Sequence, residues 1–187
     1  MTRKPSRVSR RSVLAAASFS FTLLPRHVVG GPGQTPPSER INFAGIGAGG
    51  QGGGDVQAMA AQGANVVALC DVDSDRAADN FKRFSKARVY TDFRKMLDKE
   101  EKNIDAVTVG TPDHIHAVAS MNAIRRGKHV YCEKPLTHTI FEARQLTLAA
   151  VRHKVATQMG NQGHATEGAR LTNEWIQAGV IGDVHQV

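Results

Sequence analysis

Two short apolar runs on either side of a glycine-rich turn constrain this chain more than any other feature. The first run is Ile41–Ile46, and the second, Asn65–Cys70, ends directly at Asp71. A helix-compatible segment, Asp55–Ala61, lies between them. This order of strand, glycine turn, helix, strand and acid is the layout that binds the ADP half of a dinucleotide.

The glycines of the turn have the spacing G-x-G-x-x-G, which gives each of them a separate physical role. Gly47 permits the tight turn, Gly49 leaves room for a pyrophosphate, and Gly52 lets the helix pack closely on the strand. The helix N-terminus adds unpaired N–H groups and a partial positive charge. We expect the phosphates to contact the whole turn: Gly47, Gly49, Gly50, Gln51 and Gly52.

Asp71 lies 19 residues after Gly52, where an acid accepts hydrogen bonds from the ribose hydroxyls. A carboxylate there repels a 2′-phosphate, so NAD is predicted as the cofactor in preference to NADP. A second glycine frame (Gly45, Gly47 and Gly50) also fits the pattern. We prefer the first frame because it leaves a six-residue strand and places the third glycine just inside the helix. The alternative to both frames is a flexible glycine loop without a ligand.

The N-terminal segment has the composition of a bacterial export signal. Five basic residues precede residue 12, and the weakly apolar run at 13–24 is too short and too rich in Ser and Ala for a membrane span. Ser9–Leu14 resembles a twin-arginine signal, which directs the export of folded proteins. The alternatives are an ordinary signal peptide and a disordered basic tail. We therefore expect a signal over residues 1–29, a linker over 30–39, and a periplasmic or otherwise extracytoplasmic protein.

The net charge of +7 comes almost wholly from the N-terminal region. Residues 1–40 contain seven Lys/Arg residues and one acid, whereas residues 41–187 contain seventeen Lys/Arg residues and sixteen acids. Because the part expected to fold is nearly neutral, the basic balance indicates targeting and argues against nucleic-acid binding.

From residue 75 onward, predicted helices and strands alternate along the chain. We expect helices at 75–84, 92–99, 113–126, 139–153 and 167–178, and strands at 88–90, 105–109, 129–132 and 155–158. Thr139 and Glu142 form a capping box that opens the fourth of these helices. The alternation predicts an α/β fold, a doubly wound parallel sheet covered on both faces, in which a ligand lies beyond the carboxyl ends of the strands.

The cysteines and histidines offer neither a disulfide nor a metal site. Cys70 and Cys132 end the second and fifth predicted strands, which lie about 14 Å apart in such a sheet, whereas a disulfide needs Cα atoms within about 7 Å. We therefore expect two free thiols that pack as small hydrophobic side chains. His114 and His116 do not share a helix face, and no acid or cysteine is spaced to complete a tetrahedron, so no metal is predicted.

Four motifs in a fixed order resemble those of one known family. They are Ala44–Gly52 (AGIGAGGQG), Cys70–Asp73 (CDVD), Thr111–His116 (TPDHIH) and Glu133–Pro135 (EKP). In these motifs, over roughly residues 40–187, the chain is similar to the Gfo/Idh/MocA (glucose–fructose oxidoreductase/inositol dehydrogenase) family. Met159–His164 and Ala178–Val184 also resemble its exported bacterial members.

The resemblance implies an NAD(P)-binding Rossmann domain followed by an α/β domain that supplies much of the substrate pocket and often the oligomer interface. We assign residues 40–160 to the first domain and 161–187 to the beginning of the second, truncated here because family members are much longer. The resemblance also implies that Lys134 contacts the reacting hydroxyl and assists proton transfer. The residues that it places beside the cofactor are Thr111, Pro112, His116, Glu133 and Asn161.

The predicted function is NAD-dependent hydride transfer to or from a hydroxyl of a small carbohydrate or polyol. The isolated chain is expected to be impaired, because further catalytic residues of the family lie in the second domain. One alternative is a glycoside hydrolase that oxidises its sugar transiently with NAD, and another is a non-catalytic dinucleotide-binding module. We further expect no stable membrane span, and an oligomer for the longer form.

Overall fold

The computed structural model describes residues 35–186. A short 3-10 turn, Pro37–Glu39, lies before the folded region. The residues from Arg40 onward form one compact unit. The predicted twin-arginine signal lies outside the described residues, and the boundary proposed at residue 160 stays a prediction.

Within the described residues, six strands form one parallel sheet in the order β3-β2-β1-β4-β5-β6. The strands are β1 (Asn42–Ile46), β2 (Asn65–Cys70), β3 (Arg88–Tyr90), β4 (Ala106–Val109), β5 (His129–Glu133) and β6 (Thr157–Gly160). The helices are α1 (Gly50–Ala61), α2 (Ala78–Arg83), α3 (Phe93–Glu100), α4 (His116–Arg125), α5 (Ile140–His153) and α6 (Glu167–Gln177). This is the strand order of a doubly wound dinucleotide-binding sheet, so the predicted fold class is confirmed.

The central strands β1 and β4 carry the hydrophobic core. Ile46 and Val107 belong to the larger cluster of buried side chains, and Phe43 belongs to a second cluster with Val56 and Leu69. Strands buried on both faces need helices above and below, which explains their continuous apolar sequence. Strands β2 and β3 are added on one side of β1, and β4 to β6 are added on the other side. This change of side between β1 and β4 opens a crevice at their carboxyl ends.

Helices α1 and α2 begin at positions that differ from the sequence prediction. Helix α1 begins at Gly50 rather than Asp55, with Gly49 as its N-cap, so the glycines form the first helical turn. Helix α2 begins at Ala78 rather than residue 75. Asp73 explains this delay, because its side-chain oxygen accepts hydrogen bonds from the backbone N–H groups of residues 75 and 76 and holds them in a turn.

The later elements largely match their predicted positions. The predicted capping box at Thr139 and Glu142 is present, and the Asp92 side chain caps α3. Strand β6 lies two residues later than predicted, because its pairing with β5 runs as far as Gly160 opposite Glu133. Helix α4 begins at residue 116, and a separate 3-10 turn occupies 113–115.

Cys70 and Cys132 are buried free thiols, as predicted. Cys70 ends β2 and Cys132 is the last residue but one of β5, and both β1 and β4 separate those strands. Burial raises the pKa of the Cys70 thiol to about 12 and that of Cys132 to about 11, so neither is a reactive thiolate. Between residues 35 and 186, no helix combines the length and the apolar character needed to cross a membrane.

Candidate cofactor-binding and active site

The turn after β1 is folded tightly against the loop after β4. Gly47 has a φ of 85°, a conformation that side chains rarely adopt. A Cβ atom on Gly47 would lie 2.6 Å from the carbonyl oxygen of Gly110. The tight turn predicted for this glycine is therefore present, and the neighbouring loop fixes its place.

Gly52 lets α1 pack directly on this turn. A Cβ atom on Gly52 would lie 2.2 Å from the carbonyl oxygen of Gly47, a separation that no side chain tolerates. Gly45 belongs instead to β1, where a Cβ atom would lie 2.6 Å from a methyl carbon of Val56. The frame that begins at Gly47 thus describes the turn, and Gly52 has the close-packing role that the sequence predicts.

Asp71 is joined to the glycine turn by its own carboxylate. Its Oδ2 atom accepts hydrogen bonds from the backbone N–H groups of Ala48 at 2.8 Å and Gly49 at 2.9 Å. Its Oδ1 atom accepts one from the N–H of Asp73 at 3.0 Å. The amides left for a phosphate are therefore those of the first turn of α1, which begins at Gly50.

Two residues that support the turn were missed in the sequence analysis. Asn80 is buried on α2, and its Nδ2 atom donates a hydrogen bond to the carbonyl oxygen of Ala48 at 2.8 Å. Arg76 lies over the turn, since a Cβ atom on Gly50 would lie 2.7 Å from its Nη2 atom. The guanidinium of Arg76 is exposed and forms no ion pair within residues 35–186. A basic residue five positions after the acid was the available signal.

A groove of about 590 Å³ runs from the glycine turn across the carboxyl ends of β2, β1 and β4. One side carries the polar groups Asp71 and Arg76, and the other carries the apolar side chains Phe93 and Ile115. This volume falls in the range of small-molecule sites, and the mixture of charged and apolar walls suits an adenosine with its phosphates. The residues present therefore fit a dinucleotide.

Thr111 and Pro112 line this groove, and their contact with a cofactor stays a prediction. His116 lies behind them, 1% exposed, and its two ring nitrogens contact the carbonyl oxygens of Thr111 at 2.8 Å and Pro135 at 2.7 Å. The imidazole thus joins the loop after β4 to the loop after β5. This geometry supports a positioning role for His116, and its direct contact with a cofactor stays a prediction.

The end of β5 carries the residues predicted for the chemistry. Glu133 is buried and accepts a hydrogen bond from the Gln162 side chain at 3.0 Å. Lys134 is exposed, and the peptide bond that follows it is cis. Asn161 is also exposed, one residue beyond β6. The adjacent β5 and β6 strands therefore bring these residues to one edge of the sheet.

Asp55 is a further buried acid at this edge, which the sequence analysis had assigned only to the start of a helix. It is 7% exposed, and its Oδ2 atom has no hydrogen-bond partner among the described residues. Burial, followed by the negative charge of Glu133, raises its pKa to about 6. Within residues 35–186 no cluster of three His, Cys, Asp or Glu side chains is arranged to hold a metal.

A match to a known protein family identifies the class of protein to which the chain belongs. Residues 41–161 match the family described as "Oxidoreductase family, NAD-binding Rossmann fold". The fold, the glycine turn and Asp71 agree with this description, and they support NAD as the cofactor. The chain belongs to the Gfo/Idh/MocA oxidoreductase family.

Individual relatives extend the comparison. Inositol 2-dehydrogenase from Rubrobacter xylanophilus is 34% identical over 148 residues, which are 78% of this chain and 42% of the relative. Glycosyl hydrolase family 109 protein 1 from Shewanella is 29% identical over 160 residues, which are 80% of this chain and 34% of the relative. The structure of scyllo-inositol dehydrogenase from Lactobacillus casei, with bound NAD(H) and scyllo-inositol, gives a TM-score of 0.65 at 25% identity and covers 78% of this chain and 43% of that one. The chain spans less than half the length of these relatives.

Proposed function

We propose that this chain is the cofactor-binding part of an NAD-dependent oxidoreductase that transfers a hydride between the nicotinamide and a hydroxyl of a sugar or polyol. The observation that carries the proposal is a row of residues along the carboxyl ends of adjacent strands. The strand order β2-β1-β4-β5 makes this row continuous from Asp71 to Lys134. At one end of the row Asp71 lies in the groove, and at the other end the exposed Lys134 follows β5. The relatives named as inositol dehydrogenases support the substrate class.

Each residue of this edge has a task in the proposed reaction. Asp71 binds the adenosine ribose, and the first turn of α1 binds the phosphates through its free amides. The bound nicotinamide supplies the hydride acceptor. Lys134 accepts the proton of the hydroxyl group when the hydride leaves the carbon that bears it, and returns that proton in the reverse direction. His116 holds the two loops that flank this position, through Thr111 and Pro135.

The test separates cofactor binding from turnover. NADH fluorescence titration of the 187-residue chain should show saturable binding, which Asp71→Ala weakens and the exposed Asp79→Asn control does not. A panel of inositols and sugars with NAD should then give NADH absorbance if the chain is competent alone. Saturable binding without turnover favours the non-catalytic module, and absence of NADH binding overturns the proposal.

A glycoside hydrolase is the second candidate, favoured by the similarity to glycosyl hydrolase family 109 protein 1 from Shewanella. Both reactions use the same NAD site, so the product distinguishes them. An oxidoreductase accumulates NADH, whereas the hydrolase releases a sugar from a glycoside and leaves the amount of NAD unchanged.

We also propose export by the twin-arginine route and an oligomeric longer form. The export proposal is supported by the Arg10–Arg11 pair ahead of an apolar run. A reporter fused after residue 40 should reach the periplasm, and Arg10→Lys with Arg11→Lys should keep it in the cytoplasm. Light scattering on the longer form tests the oligomer, and a monomer mass contradicts it.

A further inference from the structure

Two buried carboxyl groups from separate elements meet near Gly110, which follows the β4 residue paired with Cys132 and which lies next to the Oδ2 atom of Asp55. Asp55 is on α1 and is 7% exposed, and Glu133 ends β5 and is 5% exposed. Acids are almost never this deeply buried unless they have partners. Each of these two acids therefore requires a hydrogen-bond donor or an opposite charge beside it.

The walls around the two acids are largely backbone. A Cβ atom on Gly160 would lie 2.5 Å from the Oε1 atom of Glu133. A Cβ atom on Gly110 would lie 3.6 Å from the Oδ2 atom of Asp55. The absence of a side chain at Gly160 therefore makes room for the Glu133 carboxyl group, and Gly110 lies in ordinary contact with Asp55.

The hydrogen bonds around the pair are incomplete. Gln162 donates to Glu133 at 3.0 Å, and Gln51 donates a long bond to the Oδ1 atom of Asp55 at 3.4 Å. The Oδ2 atom of Asp55 is buried without a donor. Within residues 35–186 neither acid forms an ion pair with a lysine, arginine or histidine.

A proton shared between Asp55 and Glu133 supplies the missing hydrogen bond of this pair. Two ionised carboxylates in contact repel each other, and each loses solvation on burial. If one acid keeps its proton, it becomes a donor to the other, and one negative charge remains. The pKa of Asp55 is raised in the direction that this sharing requires, and the neighbouring Tyr131 phenol also has a raised pKa because of burial and the charges of these acids.

We propose that Asp55 and Glu133 share one proton and that Asp55 is a positioning residue, which holds Glu133 in place at the carboxyl end of β5. The functional part rests on the proposed NAD site, whereas the shared proton is a property of the ligand-free protein. Loss of the proton places two negative charges in one backbone-walled space. The loop that carries Glu133 and Lys134 is then displaced, and cofactor affinity falls.

The first experiment detects the proton without any cofactor. Infrared spectra of the ligand-free 187-residue chain, recorded across a pH titration, should show the carbonyl stretch of a buried protonated carboxyl group. The band should be present below about pH 6 and disappear above it, near the pKa of Asp55. Asp55→Asn should remove the band, and Asp79→Asn, an exposed acid on α2, should leave it unchanged.

The second experiment measures NADH affinity against pH. The wild-type affinity should fall by about tenfold across the pH range in which the band disappears, the change expected from about 1.4 kcal/mol. Asp55→Asn should bind NADH with a flat pH profile, because its amide donates to Glu133 at every pH. Asp55→Ala should bind weakly throughout, since it removes the donor at position 55 and leaves Glu133 with Gln162 alone. Circular dichroism confirms that each variant is folded.

The outcomes separate the inference from the proposed function. A wild-type protein with no band, or a band that survives in a folded Asp55→Asn variant, overturns the shared proton. A band together with no NADH binding retains the shared proton and removes the proposed cofactor site. A band together with identical pH profiles in wild type and Asp55→Asn overturns the positioning role.

Discussion

Gly52 and Gly110 pack backbone against backbone, so that a Cβ atom on Gly110 would lie 2.3 Å from the Cα atom of Gly52. This contact joins the first turn of α1 to the loop after β4. It brings the helix N-terminus and the Thr111 loop to the two sides of one groove. The proposed phosphate site therefore depends on a contact between two residues without side chains.

Gly52→Ala should destabilise the protein by about 1–3 kcal/mol or more, because the added methyl group meets backbone that cannot move aside. Thermal or urea unfolding measures the change. Gly54→Ala is the matched control on the same helix, since a Cβ atom there meets nothing within 4 Å. The control should be stabilising by about 0.5–1 kcal/mol. Equal effects at the two positions would falsify the close-packing role.

Asp71→Asn should shift cofactor preference from NADH toward NADPH. The asparagine oxygen still accepts from the amides of Ala48 and Gly49, but the negative charge that repels a 2′-phosphate is gone. We expect the ratio of the two dissociation constants, measured by fluorescence titration, to change by about tenfold. An unchanged ratio in a folded variant means that the carboxylate does not contact the ribose.

Because the Arg76 guanidinium lies in the groove over the first turn of α1, we expect it to donate a charge-assisted hydrogen bond to a cofactor phosphate, and Arg76→Ala should weaken NADH binding by about tenfold or more. The loss should shrink as salt concentration rises, which titrations at two ionic strengths will show. Lys82→Ala is the control, because Lys82 is an exposed cation on α2 that lies outside the groove. If both variants bind alike, Arg76 only covers the turn.

Glu100 should make the protein sensitive to acid. It is buried and accepts hydrogen bonds from Arg88, Tyr90 and Asn103, and these contacts, led by Arg88, lower its pKa to about 2. The folded pKa lies below the ordinary value of 4.5, so this stabilisation is complete above about pH 4.5 and is lost as the pH falls toward 2.

Glu100→Gln tests this by melting temperature against pH. At neutral pH the variant should be less stable by about 1–2 kcal/mol, a modest value because Arg88 is 63% exposed and its charge is screened by water. The difference should narrow as the pH falls toward 2. A constant difference at every pH shows that packing, and not the carboxylate charge, is responsible.

Much of the fold follows from local sequence signals. The Thr139 and Glu142 capping box fixed the start of α5, and the glycine spacing with Asp71 predicted the order of β1, α1 and β2. The start of α2 could not be predicted in this way, because the side chain of Asp73 takes the amides that a helix would otherwise begin with. Competition between a turn and a helix is decided by small energy differences.

The candidate site likewise combines features that follow from the sequence with contacts that only the fold creates. The sequence by itself determined the strand–turn–helix pattern, the acid at the end of β2 and the charge of each group, because these depend on neighbours along the chain. Only the tertiary structure decided that Asp71 joins its carboxylate to the glycine turn and that Asp55 lies against Glu133. Those contacts connect residues 22 and 78 positions apart, and burial between packed elements, rather than any local preference, brings them together.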